Sequence, residues 1–160
     1  MSYIENLTLT QYPIKSIQYK EVGSLMKVVT GVVGNDVHVV ANRLIDISLR
    51  ERGFEVFNLG VNTYLEEFID AVIETDADVL LLSSLNGEAE GWSRDLLILK
   101  SKYNLKDVVF MIGGNLAVGE VDSETIVPKY QAYGFDLVFH QIDLGIGLDE
   151  LEVYLKEGVS

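Results

Sequence analysis

Asp36 and His38, two residues apart, carry the clearest chemistry in the chain. In an extended loop that spacing lets both side chains point the same way, so the carboxylate can accept the N–H of one imidazole nitrogen. Such a bond fixes the tautomer and raises the basicity of the other nitrogen, as a metal-ligating histidine requires. One histidine is too few for a zinc site, which takes three or four protein ligands. A single neutral imidazole suits an axial position on a metal already held by a macrocycle. The plainer alternative is an Asp–His pair that only braces its own loop. Ser83-Ser84-Leu85 and Gly113-Gly114 follow at the ends of later apolar runs. A serine hydroxyl there either hydrogen-bonds a ligand heteroatom or caps the loop. Paired glycines either let a ligand lie on bare backbone or turn the chain.

These residues need a frame, and the sequence supplies one. Val28 to Val33 is an apolar run broken by Gly34 and Asn35, after which Asp36, Val37 and His38 lead into a helical pattern. A strand that ends in a glycine turn and opens a helix is where parallel α/β folds hold ligands. The first helix is expected from about Val39 to Arg52, with a buried stripe of Val40, Leu44 and Ile47, beside Ala41 and Ser48, and a cap at Gly53. Phe54 to Leu59 reads as a second strand. Thr63-Tyr-Leu-Glu66 reads as a capping box opening a helix that buries Leu65, Phe68, Ile69 and Val72. Val79 to Leu82 is a continuous apolar run, as expected of a central parallel strand. Trp92, Leu96, Leu99 and Tyr103 mark a third helix, with Trp92 in the core. Val108 to Ile112 is a fourth strand. A fourth helix lies between Ser123 and Tyr133, its start obscured by Pro128. Leu137 to Phe139 is a fifth strand, and Leu148 to Lys156 a last helix.

Five β-α units imply a doubly wound parallel sheet with helices on both faces. The loops Gly34–His38, Gly60–Thr63, Ser83–Gly91, Gly113–Glu120 and His140–Gly147 then share one edge. His140 reads as a surface or loop histidine, with a place near the ligand slot at that edge as the alternative. Glu88, Glu90 and Glu120 read as solvated loop charges, with partner contact as the alternative.

At 160 residues, 48% of them hydrophobic, the chain is large enough for one well-packed domain. Residues 1–25 are polar and aperiodic and are expected to form an extension or arm, leaving 26–160 as the domain. There are no cysteines, so disulfides and thiolate sites are excluded. No apolar run approaches the ~20 residues of a membrane span, and the N-terminus lacks a secretory pattern, so a cytoplasmic protein is expected. A net charge of −13, from 12 basic and 25 acidic residues, argues against nucleic acid.

Taken together, Asp36-x-His38-x-x-Ala41, then Ser83-x-Leu85, then Gly113-Gly114 resembles the ordered D-x-H-x-x-G, S-x-L and G-G signature of cobalamin-binding domains. The likeness covers roughly Lys27 to Asp136. Within that family it is to the small sigma subunits of glutamate (methylaspartate) mutase, through Gly31–His38, Glu74–Asp78, Ser83–Gly87, Gly113–Gly119 and Gly134–Asp136. The resemblance implies a flavodoxin-like sheet of order 2-1-3-4-5 and adenosylcobalamin as cofactor, with His38 as axial cobalt ligand and Asp36 as its partner. It implies a slot for the displaced nucleotide tail lined by Ser83, Leu85 and the Gly113-Gly114 backbone. Asn35, Val37, Ala41, Gly87 and Asn115 complete the cofactor-binding set, and no catalytic residue is expected on the chain beyond the cofactor. It further implies a radical carbon-skeleton mutase whose substrate pocket lies in a larger barrel-type subunit. A cobalamin carrier or methyl-transfer module, or a non-catalytic corrinoid-binding domain, stands as the alternative. Two departures are evident: Ala41 where the signature has glycine, and His140–Gly145 where a Gly-Thr-Pro-type loop is expected.

Overall fold

The computed structural model describes residues 25–34, 38–85, 87–117 and 122–157. The arm before residue 25, and Asn35, Asp36 and Val37 of the expected site, lie outside the described residues. In chain order the elements are β1 (Lys27–Val32), α1 (Val39–Glu51), β2 (Glu55–Asn58), α2 (Leu65–Thr75), β3 (Val79–Ser84), α3 (Ala89–Ser93), α4 (Leu96–Lys102), β4 (Val109–Gly114), α5 (Ser123–Tyr133), β5 (Leu137–His140) and α6 (Leu144–Glu157). The strands pair in parallel in the order β2-β1-β3-β4-β5, the flavodoxin-like arrangement expected from the sequence.

Alternation along the strands builds two cores. Val28, Val79, Leu81, Val109 and Met111 face α1 and α6, meeting Ile45, Leu49, Leu148, Leu151 and Leu155. Val29, Leu80, Leu82, Phe110 and Ile112 face the other way, meeting Phe68, Ile69 and Val72 of α2, Leu96 of α4 and Tyr130 of α5. β3 is buried at every residue, which explains its unbroken apolar run. Two carboxylates brace the end of the sheet far from the expected site. Asp78 accepts from the Lys27 N–H at 2.8 Å, and Asp136 accepts from the Phe110 N–H at 2.9 Å.

Local readings of the sequence are corrected at several points. The buried residues of α1 are Asn42, Ile45 and Leu49, whereas Val40, Leu44 and Ile47 are exposed. The rotation of the helix is set by a polar contact that an apolar-period reading overlooks. The Asn42 and Asn58 side-chain amides exchange hydrogen bonds at 2.9 and 3.0 Å, and Asn42 also reaches the Gly60 carbonyl at 3.4 Å. The α2 cap lies one residue later than expected: the Glu67 carboxylate accepts from the Tyr64 N–H at 2.8 Å. The Thr63 hydroxyl instead donates to the Leu59 and Val61 carbonyls. The single third helix is two short ones, α3 and α4. Gly91 falls inside α3, Tyr103 lies beyond α4, and Trp92 is half-buried against the core. Pro128 sits within α5, whose start is fixed by Asp122, the side chain of which accepts from the Glu124 N–H. α6 begins at Leu144, four residues early, because Gly145 and Gly147 are helical there.

If the amide pair sets the seat of α1, Asn42→Ala will cost about 1–2 kcal/mol in urea unfolding, the worth of two modest hydrogen bonds, with an unchanged m-value. A neutral result would assign the orientation of the helix to Ile45 and Leu49 alone.

Candidate functional site

The carboxyl edge of the sheet is the place to build from. β3 and β4 pair with Ser83 opposite Gly113, and β4 and β5 pair with Gly113 opposite Phe139. Side chains at these three positions point to the same face as Leu81 and Met111, toward α1 and α6. Between the two helices and this row lies a cleft of about 200 Å³. Ala41, Leu44 and Ile45 of α1 form one wall. Phe139, Ile142, Asp143, Leu144 and Gly147 form the other, and Leu81, Ser83, Leu85, Met111, Gly113 and Gly114 form the floor. Sites that enclose a whole drug-sized ligand span roughly 300–1,000 Å³. This cleft therefore suits one flat ring system or one arm of a larger molecule.

The two floor glycines differ in kind. Gly114 has φ +117°, and a Cβ there would collide with the Ser84 carbonyl, so the fold itself demands glycine. A Cβ on Gly113 would meet only the Phe139 carbonyl and Cβ, at ordinary distances of 3.6 and 3.9 Å. Among the described residues nothing in the packing requires glycine at 113; what a side chain there would occupy is the cleft. The Ser83 hydroxyl is buried and makes one long bond of 3.4 Å to the Gly31 carbonyl, so it can turn to a ligand at little cost. The cleft is mostly apolar, with Ser83 and Asp143 as its polar side chains.

His38 stands at the N-cap position of α1 and is exposed at the same edge, its carbonyl accepting from the Asn42 N–H at 3.4 Å. Among the described residues no three His, Cys, Asp or Glu side chains gather to hold a metal ion. Gly34, the last described residue before His38, adopts φ +80° under the Trp92 indole, which is 5.1 Å from the Tyr64 ring. That aromatic pair fixes where β1 releases the chain.

Of the expected site residues, Ala41, Ser83, Leu85, Gly113 and Gly114 meet in the cleft. Gly87 and Asn115 lie beside it, joined by a bond from the Gly87 N–H to the Asn115 carbonyl at 3.2 Å. The wall from α6 was missed because the sequence reading began that helix after Gly147. The floor residues Leu81 and Met111 were recoverable from period-two alternation with Ser83 and Gly113. Glu90 is a structural hub rather than a solvated charge. It meets Lys129 at 2.7 Å, accepts from the Tyr133 hydroxyl at 3.1 Å, and pairs with Arg94 at 3.4 Å. Lys129 holds its carboxyl below the ordinary range. Glu88 is exposed, and Glu120 lies outside the described residues. His140 is buried, contrary to expectation.

A doubly wound parallel domain with a narrow apolar cleft and an exposed histidine at the carboxyl edge is a ligand-carrying α/β domain. Over residues 26–141 the sequence matches the B12 binding domain, and the chain belongs to that family. It is similar to the glutamate mutase sigma subunit of Treponema denticola, 41% identical over 114 residues that cover 71% of this chain and 82% of the relative. The glutamate mutase sigma subunit of Carboxydothermus hydrogenoformans is 43% identical over 114 residues, covering 71% and 83%. In fold it resembles a novel cobalamin-binding protein from Desulfitobacterium hafniense DCB-2, with a TM-score of 0.63 and 23% identity. The match covers 82% of this chain and 58% of that one.

The contrast between the floor glycines predicts opposite outcomes on substitution. Gly113→Ala will change unfolding free energy by less than about 1 kcal/mol. Gly114→Ala will cost upward of about 1–3 kcal/mol through its positive φ and the carbonyl clash. Thermal melts of the two variants decide it; equal losses would mean that Gly113, too, is a requirement of the fold.

Proposed function

We propose that this chain is the cobalamin-binding subunit of an adenosylcobalamin-dependent carbon-skeleton mutase, interconverting L-glutamate and threo-3-methylaspartate with a larger barrel-type subunit. The observation that carries the reading is the cleft floor: Ser83 in register with a glycine at 113 that the described packing does not need, at the sheet edge where α1 begins with His38 at its N-cap. The sigma-subunit relatives, at 41–43% identity over most of their length, support the choice of enzyme. The composition and the absence, among the described residues, of a helix able to cross a membrane accord with action in the cytoplasm.

The residues present fit the group. His38 would offer a neutral imidazole nitrogen to cobalt, and Asp36 would hold the other ring N–H, keeping the tautomer and raising the donor's basicity. The cleft would take the nucleotide tail. Its apolar walls exclude water from a flat aromatic base, Ser83 donates or accepts at a heteroatom, and the Gly113-Gly114 backbone lets the base approach. When bound, adenosylcobalamin supplies a cobalt–carbon bond whose homolysis provides the radical for the rearrangement. This chain's part is to hold, orient and shield.

The exposed apolar residues beside the cleft also gain a reason under this reading. Val40 and Leu44 on α1 and Ile142 and Ile146 near the start of α6 are all at least 45% exposed, an uncommon density of apolar surface at one rim. Cofactor and large subunit would cover them.

Reconstitution tests the proposal. The purified chain, adenosylcobalamin and a glutamate mutase large subunit should together interconvert glutamate and methylaspartate, and neither protein should do so alone. A cobalamin-loaded chain that neither co-elutes with the large subunit nor supports turnover would favour a carrier for another corrinoid enzyme. Asp36→Asn should retain cobalamin but bind it about 10- to 100-fold more weakly, the usual cost of losing a partner of a metal-bound histidine.

A further inference from the structure

On the face of the sheet opposite the cleft, the same register builds a second row: Ser84 opposite Gly114, and Gly114 opposite His140. His140 is 1% exposed. Its Nδ1 accepts from the Leu116 N–H at 3.1 Å, an arrangement that requires the lone pair on Nδ1 and leaves Nε2, buried and without a partner among the described residues, as the ring's donor. Leu116 is held from its other side as well, its carbonyl accepting from the buried Tyr130 hydroxyl at 3.0 Å. The neighbouring backbone is fixed in turn: the Asn115 N–H donates to the Ser84 carbonyl at 2.7 Å, and the Gly114 carbonyl accepts from the Gln141 N–H at 2.8 Å. Among the described residues, Asn115 is held by backbone bonds to Ser84 and Gly87, whereas Leu116 is gripped by two side chains.

We propose that His140 is a positioning residue for the cleft floor: by accepting the Leu116 N–H it locks the exit of β4 and so holds the Gly113-Gly114 backbone where a ligand's aromatic tail lies against it. Glycine backbone has no side chain to anchor it, so a floor made of two glycines must be stiffened from the segment that follows. His140 does this from the opposite face without entering the cleft. Removing the acceptor leaves a buried N–H unsatisfied, which the loop relieves by moving out toward water. The inference rests on the reading of the cleft as a nucleotide-tail slot. Its consequence is selective: binding through the tail depends on His140, and binding of a corrinoid without a tail does not.

The test compares the wild type with His140→Leu, which removes the acceptor, and His140→Asn, whose side-chain oxygen can stand near the place of Nδ1. The probes are hydroxocobalamin and cobinamide, the same corrinoid lacking the nucleotide tail. Losing one buried hydrogen bond should weaken hydroxocobalamin binding about tenfold in His140→Leu and accelerate exchange of the Leu116 amide in the apo protein. Cobinamide affinity should stay within about twofold, and His140→Asn should restore most of both losses. Equal weakening of the two corrinoids, or unchanged Leu116 exchange in His140→Leu, overturns the proposal while leaving cobalamin binding intact. Should His140→Leu fail to fold, the wild type decides by nitrogen NMR. A His140 ring protonated on Nε2 and accepting at Nδ1 from Leu116 upholds the proposal, and a proton on Nδ1 overturns it. A wild-type chain that binds neither corrinoid overturns the cobalamin reading together with this one.

Discussion

The register of β3 between β1 and β4 is the constraint on which the structure depends. β3 is buried along its whole length, and its side chains alternate between two separate cores. Slipping either neighbour by one residue would move Val28 and Val29 of β1, or Phe110 and Ile112 of β4, out of the cores they fill. The same register lines up Ser83, Gly113 and Phe139 on one face and Ser84, Gly114 and His140 on the other. The site is therefore a by-product of core packing: the hydrophobic residues fix the strands, and the polar and glycine residues at the strand ends arrive in place without further instruction.

The two faces divide the work. Toward α1 and α6 the floor is left bare, with a loosely held serine hydroxyl and a glycine whose missing side chain is unused by the packing. On the opposite face the Leu116 N–H donates to His140, and in the plane of the sheet the Asn115 and Gln141 N–H groups donate to the Ser84 and Gly114 carbonyls. The flanking helices are positioned by polar contacts at their ends. Asn42 seats the start of α1 on the end of β2. Arg52, after the last turn of α1, bonds Asp149 at 2.8 Å and Glu152 at 2.6 Å on α6, and Asp149 followed by Glu152 holds its guanidinium pKa up. Two helices joined in this way keep the width of the cleft between them.

Much of this was legible in the sequence. The unbroken apolar run at Val79–Leu82 announced a central parallel strand, and glycines after strands announced the edge where the loops meet. The ordered blocks around His38, Ser83 and Gly113 pointed to the family because chemistry at a sheet edge needs particular residues at particular strand ends. What was not legible depended on polar contacts across the fold. Val40, Leu44 and Ile47 have a helical period as good as that of the true buried stripe, and Asn42 turns inward to the Asn58 amide and the Gly60 carbonyl, contacts an apolar period does not show. Thr63 and Tyr64 both precede carboxylates at capping distance, and the cap falls at Tyr64 while the buried Thr63 hydroxyl turns to the Leu59 and Val61 carbonyls. His140 looked like a loop residue because the backbone amide it serves belongs to Leu116, which sequence spacing does not bring near. The α6 wall of the cleft was hidden because Gly145 and Gly147 read as turn residues, whereas the closeness of Gly147 to Met111 and Phe139 suits a small residue inside a helix.

The central claim is the proposal that His38 would hold the cobalt of a bound cobalamin. It is tested most directly by electron paramagnetic resonance of the cob(II)alamin complex formed with protein labelled with ¹⁵N at histidine alone. The account predicts that the nitrogen splitting of each cobalt line changes from the triplet of unlabelled protein to a doublet, and that this histidine coupling disappears in His38→Ala. A triplet that survives labelling would assign the axial nitrogen to the cofactor's own base and contradict the account.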